Sequence, residues 1–164
     1  MKSILTLPDP RLRQPCHPVE SFDEELAALV SELDASMRSG PGGVGIAAPQ
    51  LGVSSRVIVV DCSLGRFKSK HHGLLQMINP QIEEREGEVL GREGCLSVPD
   101  WVGMVPRAKS IVVTYHDLNG NRQRLETSAF EARVIQHEID HLDGVLFIDR
   151  IISTKDLVRR MDSA

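Results

Sequence analysis

The stretch Ser128-Ala129-Phe130-Glu131-Ala132-Arg133-Val134-Ile135-Gln136-His137-Glu138-Ile139-Asp140-His141-Leu142-Asp143-Gly144 decides how this chain folds. Ser128 with Glu131 three residues on is a capping box, and Asp143-Gly144 supplies a stop. The spacing predicts a helix ending near Leu142. Arg133, Gln136, Asp140 and Asp143 make one narrow polar stripe on it, while Phe130, Val134, Ile135, Ile139 and Leu142 cover most of the remaining circumference. Such a helix is buried on most sides. Yet His137, Glu138 and His141 fall on its non-polar side, and ionisable groups inside a protein need a reason.

Outward from this helix the elements are shorter. Ser21-Phe22-Asp23-Glu24 is a second capping box, opening an apolar run at Leu26, Leu29, Val30, Leu33 and Met37 that predicts a helix ending near Gly40. Arg56 to Asp61 reads as a buried strand. Gln76 to Pro80 and Gln81 to Leu90 read as two more. Ile111 to Asp117 and Arg122 to Glu126 flank Asn119-Gly120, a strong hairpin signal. Val145 to Ile148 is a candidate last strand, and Ser153 to Met161 a short C-terminal helix. Strands grouped before the buried helix imply an α+β class. The expected architecture is a central buried helix packed among short, mostly antiparallel strands, with an N-terminal helix and a short C-terminal one. One domain over residues 1–164 is expected.

Composition narrows the function. The chain has 19 basic and 23 acidic residues, a net charge of −4, which excludes a dominant electrostatic binder of nucleic acid or membrane surface and leaves room only for a local basic patch. No apolar run is long enough to span a bilayer, and no secretory signal is read at the N-terminus. Three widely spaced cysteines do not make a disulfide framework, so a reducing, cytoplasmic setting is expected.

The chemistry starts at His137-Glu138-Ile139-Asp140-His141. Residues four apart on a helix lie one turn apart and offset by about 40°, so the two imidazoles can converge on one metal ion. Glu138 flanks that position, where a general base would act on water. A hydrolytic site wants a third protein ligand and an open fourth position. Downstream there is no further histidine and no well-placed carboxylate. Upstream, Glu93-Gly94-Cys95-Leu96-Ser97 offers a thiolate at Cys95, with Gly94 permitting close backbone approach. The alternative for Cys95 is a buried small hydrophobe, the expectation held for Cys16 and Cys62.

A third segment, Gly43-Val44-Gly45-Ile46-Ala47-Ala48-Pro49-Gln50, overlaps a formal G-x-G-x-x-G match at Gly40 to Gly45. That match follows a helix and is soon broken by Pro49, the wrong context for dinucleotide binding. The better reading is a tight backbone path along which something extended can lie, with Gln50 offering its amide to a shared cleft.

These three segments, in this order and spacing, resemble the peptide deformylase family. The likeness extends to Asn79-Pro80 and Pro106-Arg107 and covers most of residues 1–150. It implies removal of the N-formyl group from N-formylmethionine at the start of nascent polypeptides, with release of formate. It implies Cys95, His137 and His141 as metal ligands and Glu138 as general base and acid. Gln50 and the backbone N–H of Leu96 match the pair that holds the developing oxyanion. The peptide would lie extended along the Val44-Gly45 and Gly94 backbones, with its methionine in an apolar pocket lined by Val44, Phe130 and Val134. Arg133 stands at a position that can be apolar in relatives. Glu93 and Arg107 match a structural ion pair.

The donor set alone suggests zinc, whereas the resemblance implies Fe(2+), with Ni(2+) or Co(2+) as active substitutes and Zn(2+) a poor one. It also implies the ribosome at the nascent-chain exit as a partner, although the tail from Ser153, with Lys155, Arg159 and Arg160, is short beside the basic helix many relatives carry there. Two other readings compete. A metallopeptidase of the His-Glu-x-x-His type would share the base and two ligands. A metal-stabilised binding module would need no base at Glu138.

Overall fold

The computed structural model describes residues 3–40 and 42–160. The first helix, α1 (Glu24–Ser39), is capped by Asp23, whose carboxylate accepts from the Leu26 amide at 3.0 Å; Ser21 stays outside. The helix lays Leu26, Val30, Leu33 and Met37 on one face of a sheet.

That sheet has five antiparallel strands in the order β1 (Gly45–Ala47), β2 (Val57–Asp61), β3 (Leu74–Glu86), β6 (Ser110–His116) and β7 (Arg122–Ser128). Strand β2 explains its own composition. Val57 and Val59 pack under α1, while Ile58 and Val60 turn to the opposite layer, so both faces are buried and no polar alternation is needed. The β6–β7 pairing runs from Ser110↔Ser128 to His116↔Arg122, as the Asn119-Gly120 signal predicts. Asp117 accepts from the amides of Asn119 and Asn121, and Gly120 takes the left-handed conformation.

The opposite layer is α2 (Ala129–Leu142), which packs Ala132, Val134, Ile135, Ile139 and Leu142 on Ile58, Val60, Met77 and Val113. A second sheet, in the order β4 (Val89–Cys95), β5 (Val98–Arg107) and β8 (Leu157–Arg159), closes the other side of α2 over a small core of Val98, Val105, Leu146 and Phe147.

Three expectations change. Of the two strands predicted, Gln76 to Pro80 and the first part of Gln81 to Leu90 join in one long β3, with a register shift between Ile78 and Gln81, while Val89 and Leu90 open β4 in the other sheet. Asn79 sits there at φ 52, its amide bonded to the Val19 backbone, and Pro80 stands beside it where no ladder N–H is needed. Val145 to Ile148 is not a strand: Leu146 and Phe147 drop into the core, and Phe147 opens a 3-10 turn, Phe147–Arg150. The predicted C-terminal helix is replaced by a 3-10 turn, Thr154–Asp156, and strand β8 on β5. An isolated helix this short is marginal in water, whereas the free edge of β5 offers ready ladder bonds. Met161, its expected end, and Pro41 of the glycine-rich stretch lie outside the described residues.

Candidate metal centre

Helix α2 is buried around almost its whole circumference, including Gln136, His137, Glu138, Asp140 and His141. Its polar stripe does not face solvent as a stripe. The Gln136 amide spans the Ala108 backbone, accepting from N–H and donating to C=O at 3.0 Å each. Asp140 accepts from Arg107 at 2.5 Å and from Arg150 at 2.8 Å. The helix start departs from a capping box: the Ser128 side chain caps nothing, and Glu131 is fully buried, accepting from His72 and Thr127.

The helix brings His137 and His141 to the end of β4, where Cys95 precedes the tight turn to β5. Single ligand atoms of Cys95, His137 and His141 all lie within 4.8 Å of one another, and Cys95 Sγ is 3.3 Å from His141 Nε2. Glu93 Oε1 lies 2.8 Å from His137 Nδ1, which leaves Nε2 of that ring free for the cluster. Glu93 is itself held. Arg107 reaches it with two hydrogen bonds of 2.9 Å, and Arg133 adds a third at 2.7 Å. Burial would raise the Glu93 carboxyl, but Arg107 and His137 bring it down to about 2. The expected Glu93–Arg107 pair thus forms and is wired into the histidine as well.

Glu138 lies beside the cluster. Burial pushes its carboxyl up to about 7, partly opposed by His137. Its Oε1 is buried without a hydrogen-bond partner. Gly45 passes directly over this carboxylate: a Cβ there would stand 2.7 Å from Glu138 Oε2 and 2.8 Å from Val134 Cγ1, so only glycine lets β1 come so close. Gln50 is aimed by a short 3-10 turn, Ala48–Leu51. Its Oε1 accepts from the Ala47 amide at 3.0 Å, and its Nε2 points to Ser97 Oγ at 3.1 Å and Cys95 Sγ at 3.6 Å.

One cleft of about 260 Å³ gathers Val44, Gly45, Gln50, Gly94, Cys95, Leu96, Phe130, Val134, His137 and Glu138. His141 lies just behind it, 1% exposed. All the residues singled out in the sequence therefore meet at one place. The reading missed three features: Arg92 and Arg160 at the rim, Ser97 beneath Gln50, and the link from Asp140 through Arg107 to Glu93. Asp140, standing between the two histidines, was the available signal for the last. Cys16 and Cys62 are buried thiols, as expected, and burial pushes Cys62 up to about 12.

A thiol and two imidazoles from separate elements, grouped beside a buried carboxylate in an open cleft, are a donor set that could hold one metal ion, the kind of centre metal-dependent hydrolases carry. Comparison with known proteins gives the particular family. The polypeptide deformylase family model matches residues 1–157. The peptide deformylase of Acidobacterium capsulatum is 45% identical over 161 residues, covering 98% of this chain and 92% of that protein. A crystal structure of a peptide deformylase from Legionella pneumophila superposes with a TM-score of 0.85 at 39% identity, covering 94% of this chain and 88% of that one. That of the Thermus thermophilus enzyme gives 0.84 at 41% identity, over 94% and 88%. The chain belongs to the polypeptide deformylase family, metal-dependent enzymes that take the formyl group off nascent peptides.

Proposed function

We propose that residues 1–164 form one catalytic domain that hydrolyses N-formylmethionyl peptides, with Cys95, His137 and His141 holding a single divalent metal. The observation that carries this reading is the closeness of the three ligand atoms, within 4.8 Å, next to a Glu138 oxygen that has no partner of its own. The donor set suits a first-row metal: one soft thiolate, two imidazoles, and one ring oriented by a carboxylate. When bound, the metal supplies Lewis acidity and makes water a competent nucleophile near neutral pH.

The chain's own groups do the rest. Glu138 takes the proton from the attacking water and returns it to the leaving amine. The Gln50 amide and the Leu96 N–H donate to the oxygen that becomes negative. The Val44-Gly45 and Gly94 backbones receive the peptide as an added strand, which makes binding tolerant of sequence beyond the first residue. Val44, Phe130 and Val134 enclose the methionine side chain.

The metal we assign is Fe(2+), with Ni(2+) or Co(2+) able to replace it and Zn(2+) a poor substitute. The enzyme works in the cytoplasm, where reducing conditions protect the Cys95 thiolate, and no described helix is long and apolar enough to cross a membrane. Docking to the ribosome at the nascent-chain exit belongs to this reading; among the described residues, Leu157–Arg159 is a strand on β5 and contributes no basic helix to it.

The test is formate release from a short formyl-Met peptide by anaerobically prepared protein, with metal analysis of the same sample. Release should track iron content and fall in air as the metal or the thiolate oxidises. Glu138→Gln should lose about 10²–10⁴-fold in turnover with metal retained. Internal cleavage without formate would make the protein a metallopeptidase. Equal, air-stable activity with zinc would overturn the iron assignment.

A further inference from the structure

Between Cys62 and Ile82 the sequence carries no acidic residue, in a chain whose net charge is −4. Within that stretch, Arg66-Phe67-Lys68-Ser69-Lys70-His71-His72 forms a loop between β2 and β3 whose cations all face solvent. Among the described residues, Arg66, Lys68 and Lys70 make no ion pair. Phe67 is 80% exposed, and the Arg66 guanidinium lies 5.9 Å from its ring centre.

The loop is braced at both ends. Asp61 caps the Cys62–Leu64 turn, and the His72 amide and ring are both fixed by the fully buried Glu131, at 2.7 and 2.5 Å. These anchors set its two ends near Val44 and Phe130, which line the catalytic cleft, while the loop itself does not line it. A Cβ at Gly65 would touch Val44 at 3.7 Å, and Glu131 neighbours Phe130 on α2.

We infer that this loop is a contact surface for single-stranded RNA. Alternating cations can follow a phosphate backbone while an outward ring accepts an unstacked base. The loop has no helix to enter a duplex groove, which disfavours double-stranded DNA. RNA is chosen over single-stranded DNA because the substrates are nascent peptides, which emerge from an RNA-built machine; in that respect the inference rests on the deformylase reading.

The experiment is fluorescence anisotropy of a labelled 20-nucleotide single-stranded RNA with the metal-loaded protein. Formate release from a short formyl-Met peptide is read on the same preparations. We expect a Kd on the order of 10⁻⁵ M, weakening about twentyfold from 50 to 200 mM salt for three phosphate contacts. The triple variant R66E/K68E/K70E should lose at least tenfold in affinity, and R66Q/K68Q/K70Q somewhat less. Phe67→Ala should lose about five- to tenfold. All should keep the wild-type melting temperature and formate release. Absence of binding, or binding that the triple variants leave unchanged, would overturn the inference. So would heparin competing as well as RNA with Phe67→Ala silent, or tighter binding to phosphatidylglycerol vesicles than to RNA. A preparation that binds RNA through the loop but releases no formate would count against the catalytic reading and not against this one. An active preparation without loop-dependent binding would do the reverse.

Discussion

On the side of the five-stranded sheet, α2 meets Ile58, Val60, Met77 and Val113 with Ala132, Ile135 and Leu142, and the contact is apolar except at the start of the helix, where Glu131 accepts from His72 and Thr127. On the side of the three-stranded sheet, the same helix meets Glu93 and Arg107 with His137 and Asp140, and a chain of charged hydrogen bonds does the fastening. The difference follows from what each contact must achieve. Apolar packing is strong but indifferent to the rotation of a ring. A bidentate guanidinium–carboxylate pair fixes direction, and direction is what a ligating imidazole needs. The larger sheet holds the helix, and the smaller one aims it.

Removing the centre of the ionic side should give the largest effect. Arg107 is buried between Glu93 and Asp140, so Arg107→Met takes the most buried partner from both carboxylates, leaving Glu93 to Arg133 and His137 and Asp140 to Arg150. The expected loss of stability is about 3–5 kcal/mol, read by urea unfolding, because both anions keep their desolvation cost after losing the guanidinium that joins them. Formate release per folded molecule should fall too, since Glu93, then held by Arg133 alone among the arginines, fixes the His137 ring less firmly. A variant equal to wild type in both would break the distinction between the two sides.

On the apolar side, Ile135 is fully buried in the main core. Ile135→Ala should cost about 2–5 kcal/mol by loss of transfer energy and cavity formation. Its activity per folded molecule should stay near wild type at temperatures where the fold survives. Thermal melts paired with formate release check both halves. A large fall in specific activity here would mean that packing, not charge, aims the histidines.

What could be read from the sequence divides along the same line. The apolar side was legible because periodicity reports it: Leu26 to Met37 and Val134 to Leu142 announced two helices, and Asn119-Gly120 announced the hairpin. The metal cluster was legible because a one-turn spacing on a helix is a local matter. The ionic side was legible only at Glu93 and Arg107, through family resemblance. Arg133, Gln136 and Asp140 form a stripe that would look the same facing water, and apart from Arg150 the partners that hold them from outside the helix lie 28 to 44 positions away in sequence. Strand β8 was misread for a related reason. Its existence depends on the free edge of β5, which nothing within residues 153–161 reveals.

The smallest expected effect sharpens the comparison at its outer edge. Arg133 crosses from α2 to the small sheet, where it donates to Glu93 at 2.7 Å and to the carbonyls of Val105 and Val89 at 2.8 and 2.7 Å. Its guanidinium lies flat over Gly91, where an added Cβ would stand 2.6 Å from Cζ. Gly91→Ala must therefore push the guanidinium aside, at an overpacking cost of about 1–3 kcal/mol. Because Arg133 also lines the cleft, KM for a formyl-Met peptide should rise more than kcat falls. In an Arg133→Ala background the clash has no partner, so the added methyl should be nearly neutral. Urea unfolding of the four proteins gives the coupling directly, expected at about 0.5 kcal/mol or more. A coupling near zero would mean that the guanidinium is not held on Gly91 and that the ionic side ends at Glu93.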